Sequence, residues 1–389
     1  MQEADAEVQR ADERLVLHEL RLGEAAGRPL MAAGLPGATT SVGSQIGRYF
    51  SLASLLPSLL FVTWIVALQG AVNQPLGKFS LTGLKTALSD WSPTKIGLVV
   101  GAALVLGFAV HPLMYATTQL LEGYWGPRPF AVRLATMLAL RHRGRQLRLE
   151  HRAADLEVQA DDQLDEIILS RMPHKDRTGL SDEQLRTVLA DKRETERLLP
   201  SGAAVYGLIM AREAIQKVLD SSMPKAADRM LPTRLGNVLR RIEDSVGQSY
   251  ELPLVRIAPH LTMVAAPNRA AYINDTREQM DIAIRLTFYG LAAAVVTTVW
   301  MLGSGWWLFL GLLPYAFAYI AYRGAIAAAS AWGAAVKTAM DLDRFALYDA
   351  IHVDWPTDTR AERRRNEKLM NALLGTPGAS VTYVRPKKP

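Results

Sequence analysis

The chain contains no cysteine. That excludes a disulfide framework, a thiolate metal site and a cysteine nucleophile. Aromatic residues make up only 7%, and neither sign of charge dominates: 44 Lys and Arg against 38 Asp and Glu leave a net +6. So small an excess does not call for nucleic acid as a partner. No Walker loop, dinucleotide fingerprint, GxSxG or HExxH occurs, so the common phosphate, cofactor, acyl-transfer and zinc chemistries are not signalled. The seven histidines, at positions 18, 111, 142, 151, 174, 260 and 352, show no metal-ligand spacing. No cofactor and no metal site is expected, and the accumulated absences point away from an enzyme. A cleavable signal is not expected either, because residues 1–26 carry seven acids and three bases and no apolar core.

What the chain does have is segregation. Its mean hydropathy of +0.06 is neutral, but the apolar residues are gathered into long runs. A bilayer core needs about 20 mostly apolar residues in a helix. Leu52–Val72, Ile96–Leu121, Ile284–Leu302 and Trp306–Ala329 meet that need as four candidate spans. The last two are joined by Gly303-Ser304-Gly305, a tight hairpin beside which Trp300, Trp306 and Trp307 cluster as an interfacial belt does.

Basic residues set the expected orientation. The loop after the first span holds Lys78 and Lys85, with Lys95 at its edge. After the second come Arg128, Arg133, Arg141, Arg143, Arg145, Arg148 and Arg152, with Glu150 as the one acid among them. The positive-inside rule then puts both termini and the large middle segment in the cytoplasm. Abundant arginine and alanine suggest a GC-rich bacterial genome, so the expected location is a bacterial inner membrane.

The expected fold class is an all-α integral membrane protein: four transmembrane helices in two pairs, a helical cytoplasmic domain and a helical stalk. Residues 1–48 read as an N-terminal helix and a linker rich in Gly, Ala, Ser and Thr. Residues 49–125 hold the first pair with a short outer loop, 126–281 the cytoplasmic domain, 282–335 the hairpin, and 336–389 a helical extension with a basic tail. Within the domain, periodicity predicts a helix from Phe130 to about Leu169. Ser181 and Gln184 have capping-box spacing and open a helix to Leu199. A further helix fits Ala203–Ser221, and Thr233 caps one that runs to Val246. Neither Asn268–Leu302 nor Tyr315–Val353 contains a proline, so both helices should run on from membrane into cytoplasm.

Several features are candidates for function. Arg141, Arg145, Arg148 and Arg152 are spaced four, three and four apart and share a helix face. They fit anionic lipid headgroups; a solvated face that serves only as a topology signal is the plainer account. Nucleic acid is disfavoured, since no aromatic residues are interleaved and residues 126–281 hold 24 bases and 22 acids. Gly97 and Gly101 form a GxxxG that suits either a homo-oligomer or packing within the chain. His111 is an ionisable residue deep in a span, hence a functional candidate, although it also precedes Pro112 and could satisfy a freed carbonyl. Lys175-Asp-Arg-Thr-Gly179 lacks the nucleophile that a phosphatase loop needs.

The most distinctive string is Leu231-Pro-Thr-Arg-Leu-Gly-Asn237, continuing to Asp244. Arg234, Asn237 and Arg241 fall on one face, as a partner site or a polar network. With the hairpin downstream, this string resembles a group of polytopic membrane proteins common in actinobacteria. The resemblance covers roughly 231–375, implies the membrane architecture and supplies no catalytic residue. The expected function is a membrane anchor or adaptor that docks a cytosolic protein partner or complex. The alternative is an oligomeric channel or a membrane-disrupting effector of cell death or defence. A lipid enzyme built on His111 or the Arg234/Asn237 cluster is a third option.

Overall fold

A computed structural model describes residues 52–72, 76–173, 177, 180–197, 203–377 and 379–384. The expected N-terminal helix and linker, most of the Lys175–Gly179 string and Lys387-Lys388 lie outside the described residues. Among the described residues all regular structure is helical, and no strand occurs.

Among the described residues three helical stretches are long and apolar enough to cross a membrane: Pro93–Glu122, Pro267–Trp300 and Gly305–Ala350. The first run forms α1 (Leu52–Ala71), which is as apolar as the others. Its portion with described side chains, Leu55–Ala71, is shorter than those three. The chain divides into two compact units, one formed by residues 119–245 and one by the described residues on either side of it.

In the flanking unit, α2 (Leu81–Ser89) follows α1, and α3 (Pro93–Val110) follows α2. The sequence predicts a short outer loop between the first two spans, but Ser80 accepts a hydrogen bond from the Gly83 N–H at 3.1 Å and so caps a helix there. Pro112 has no N–H to give Phe108, and the helix tightens into a 3₁₀ turn at His111–Leu113 before α4 (Met114–Glu122) resumes.

The two long helices are α10 (Pro267–Trp300) and α11 (Leu312–Ala350). A 3₁₀ segment, Gly305–Gly311, precedes α11 and carries Trp306 and Trp307, so the hairpin turn is wider than its three-residue reading. The pair runs antiparallel: Gly290 lies against Ala318, and Arg269 is ion-paired to the buried Asp343. Ala318, Ala325, Ala329, Trp332, Val336, Ala339 and Met340 form one buried seam along α11. Ala329 and Gly333 are buried in this helix, whereas Gly324 is exposed. The seam continues from Asp281 to Arg269, roughly 18 Å at the helical rise.

At the hairpin end, the Leu76 N–H donates to the Trp300 carbonyl at 3.0 Å, and the Ser304 hydroxyl donates to the Gly77 carbonyl at 2.8 Å. Leu68, Ala71, Val72 and Met301 bury one another there. At the far end, α12 (Thr359–Leu373) docks by the face that carries Glu362, Asn366, Leu369 and Met370. Arg344 Nε meets Glu362 at 2.8 Å, the Tyr348 hydroxyl donates to Asn366 at 2.8 Å, and the Asn366 amide donates to the Tyr250 carbonyl at 2.7 Å. Arg363 Nε also donates to the Ser249 carbonyl at 2.8 Å. The basic C-terminal helix is therefore held by its opposite, buried face.

The 119–245 unit is built on α5 (Pro129–Arg171), with α6 (Asp182–Arg197), α7 (Ala203–Ser222) and α8 (Arg234–Ser245). Ala160 and Leu164 of α5 pack with Val205, Leu208 and Ile209 of α7. The expected capping box forms, with the Gln184 N–H 3.3 Å from Ser181 Oγ and the Ser181 N–H 3.0 Å from Gln184 Oε1. Arg193 on α6 binds Asp165 at 2.6 Å and Asp161 at 3.0 Å on α5.

Candidate functional site

The singled-out residues of the 119–245 unit gather around two features, the start of α8 and one face of α5. Thr233 caps α8, with the Gly236 N–H donating to its hydroxyl at 3.1 Å, while that hydroxyl donates to the Glu122 carbonyl at 2.8 Å. Gly236 is required here. A Cβ at this position would lie 2.0 Å from the same Glu122 carbonyl oxygen, too near for any side chain.

Asn237 does not reach toward a partner. It is 1% exposed, and its amide clamps one residue of its own loop, accepting from the Leu231 N–H at 2.7 Å and donating to the Leu231 carbonyl at 3.0 Å. Arg241 turns to α7, where its guanidinium donates to the Asp220 carbonyl at 2.6 Å and to the Asp220 carboxylate at 3.2 Å. Of the three candidates, Asn237 and Arg241 are thus committed to holding the loop and α7 to α8.

Behind them lies a charge cluster of which the sequence spacing predicts one pairing, Arg240 with Glu243 or Asp244, but not the part taken by Arg229. Arg229 binds Asp244 at 2.9 Å and Glu243 at 3.5 Å, and Arg240 binds Glu243 at 3.2 Å while lying over the Tyr124 ring. Burial pushes both carboxyls above the ordinary carboxylate range, and the two guanidinium groups offset part of that. Burial also raises the Tyr124 phenol to about 12, against the lowering influence of Arg240. Asp244 Oδ2 and Arg240 Nε are buried without a hydrogen-bond partner among the described residues. The signal in the sequence was the density of charge in 240–244, but which charges turn inward is set by tertiary packing.

On α5, Arg141, Arg148 and Arg152 are exposed and Arg145 is half-buried. None of the four belongs to an ion pair among the described residues. His142 lies among them with its pKa lowered, chiefly by burial and further by Arg145, Arg234 and Arg141; a hydrogen bond with the Pro232 backbone opposes the shift. The fold therefore brings Arg234 to the same neighbourhood as Arg141 and Arg145, a juxtaposition that sequence spacing did not reveal.

A cleft of about 400 Å³ opens between α5 and α7, lined by Glu150, Glu157, Asp220, Arg212, Lys225 and Arg241. Arg212 meets Glu157 at 3.1 Å across it, and the two signs of charge balance.

In the flanking unit, His111 begins the 3₁₀ turn and its side chain is exposed. Gly97 is exposed and Gly101 half-buried, and a Cβ at either would meet no atom of the described residues within 4 Å. An apolar groove of about 260 Å³ lies between α1, α10 and α11, with Trp64, Tyr289 and Phe317 in its walls. Among the described residues no group of three His, Asp or Glu side chains is placed to hold a metal ion. No family model, curated protein or solved structure matches the chain.

Proposed function

We propose that the protein is a multi-pass anchor or adaptor of a bacterial inner membrane, with four spans, and that its helical cytoplasmic part docks a cytosolic protein partner. The observation that carries this reading is the α10–α11 seam. It begins among apolar residues and runs on without a break to the polar end that holds Arg269, Asp343 and the docked α12. Such a pair supports a rigid polar scaffold at one face of the bilayer, which suits docking. The basic residues after Glu122 support a cytoplasmic placement of that scaffold and of both termini, and the likeness to actinobacterial-type polytopic proteins agrees with it.

Because the chain has no native cysteine, topology is testable with single cysteines and an impermeant maleimide. A cysteine at Ser304 should label from outside, and one at Lys225 only after permeabilisation. Docking is tested by purification in mild detergent. A cytosolic protein should co-purify at a fixed ratio and be lost when the exposed Tyr206 and Met210 of α7 are changed to Ser. Recovery of the chain alone would sink the adaptor reading.

One observation favours the second reading, an oligomeric channel or membrane-disrupting effector. The Gly97/Gly101 ridge is left open by the described residues, and small residues allow close approach of another helix. Purified protein in liposomes that releases no ion or dye would remove this alternative.

A further inference from the structure

The face of α5 that carries the arginines does not begin with them. Counting back at the same helical spacing gives Met137, Leu134 and Phe130, so steps of four, three, four, four, three and four join three apolar residues to four arginines. Phe130 is 78% exposed and Met137 60% exposed. The opposite side of the helix is occupied, since Gln146, Ala153, Ala160 and Leu164 are buried. The rotation of α5 about its axis is therefore fixed by packing within its own unit, and this mixed strip is what it presents outward.

We infer that this strip is a bilayer-binding surface whose occupant is an anionic lipid leaflet. Phe130, Leu134 and Met137 enter the boundary between headgroups and acyl chains, and the arginines engage lipid phosphates further along the helix. The inference rests on the membrane reading above. Three facts select lipid over a protein partner. Pro129 follows seven residues after Glu122, where a helix apolar enough to span a bilayer ends. Seven residues reach at most about 25 Å, so the first turns of α5 cannot leave the neighbourhood of the membrane surface. The arginines are free of ion pairs among the described residues, and Glu150, which lies between two of them in sequence, accepts a hydrogen bond from Gln146 at 2.8 Å. Finally, exposed Phe130 and Met137 beside arginines supply the residue types of a membrane-interface surface, whose apolar part is buried about 5–10 Å into the headgroup region.

The test uses the full chain in proteoliposomes, with a nitroxide on Met137→Cys and another on Val158→Cys as the aqueous reference, since Val158 is exposed on α5 but off the strip. In vesicles with a third phosphatidylglycerol, the label at 137 should be relaxed more by oxygen than by a water-soluble nickel complex, while the label at 158 shows the reverse. The difference should shrink in pure phosphatidylcholine and in high salt, which screens exposed charges. It should shrink likewise when Arg141, Arg145, Arg148 and Arg152 are all changed to Gln, with helicity checked by circular dichroism. A label at 137 that stays as accessible to nickel as the reference, in protein that resists carbonate extraction, would overturn the inference and leave the membrane reading standing. Protection of that label only on adding a soluble protein would overturn it in favour of a protein docking face. Extraction of the chain by carbonate would overturn both readings.

Discussion

Replacing Asn237 by Ala removes the clamp on Leu231, and the cost can be worked from the two bonds. The side chain is buried, and the Leu231 N–H and carbonyl are its partners at 2.7 and 3.0 Å. A buried backbone group left without a partner costs about 1–3 kcal/mol. Leu231 is half-buried, so water meets part of the loss, and the lower part of the range applies to each group. The sum is about 2–3 kcal/mol. Native-state hydrogen exchange reads local opening directly, and 1.4 kcal/mol corresponds to a tenfold change. Amides of α8 should therefore exchange roughly 30- to 150-fold faster, while those of α10 keep their rates. Asn237→Asp should be at least as damaging at neutral pH, because it retains the acceptor for the Leu231 N–H but sets a second oxygen against the Leu231 carbonyl. Unchanged protection in α8 after Asn237→Ala would refute the reasoning, because it would mean that the clamp does not hold the loop to the helix.

Arg344→Met should strand the buried Glu362 carboxylate. Removing one partner of a buried pair costs about 3–5 kcal/mol, so α12 should become sensitive to limited proteolysis while the α10–α11 pair remains resistant. The raised carboxyls of Glu243 and Asp244 bind more protons folded than unfolded. Their contribution to stability is therefore greatest on the acid side and falls as pH rises from the ordinary carboxylate value to the raised folded one. Glu243→Gln should flatten that decline in urea melts taken across the window. Gly97→Ala with Gly101→Ala should leave the thermal stability of the monomer unchanged or raised, since the new methyl groups meet nothing and alanine is the better helix former.

The helices of the 119–245 unit were legible because local signals mark their ends. Pro129 opens α5, Ser181 with Gln184 opens α6, and Thr233 opens α8. The lengths of α10 and α11 were legible from the absence of proline and the continuity of pattern. Two elements were missed for opposite reasons. The α2 helix carries a usable signal in Ser80 and the spacing of Leu81, Leu84 and Leu88, but it is brief and sits between two stronger apolar runs. A further helix, α9 (Leu254–Val264), was hidden by Pro259, which lies inside it. The docking of α12 was not legible at all. Glu362 and Asn366 look like solvated residues of a charged helix, and only their partners Arg344, Tyr348 and Tyr250, distant in sequence, make them interior. The arginine stripe was visible from spacing alone, but its apolar continuation stands out only once the buried side of α5 is known.

The ties at the hairpin end have a mechanical consequence. Leu76 and Gly77 are bonded to Trp300 and Ser304, and Gly303 leaves no room for a side chain against the Leu76 carbonyl. The ends of the two apolar hairpins are stapled together there, and nearby the Trp64 indole N–H donates to the Thr297 hydroxyl at 2.8 Å. Any splaying of α1 from the α10–α11 pair must then swing about the staple, as the arms of a peg turn on its spring. Displacements grow with distance from it, so they are largest where α10 and α11 reach Arg269 and Asp343, and smallest among the tryptophans of the turn.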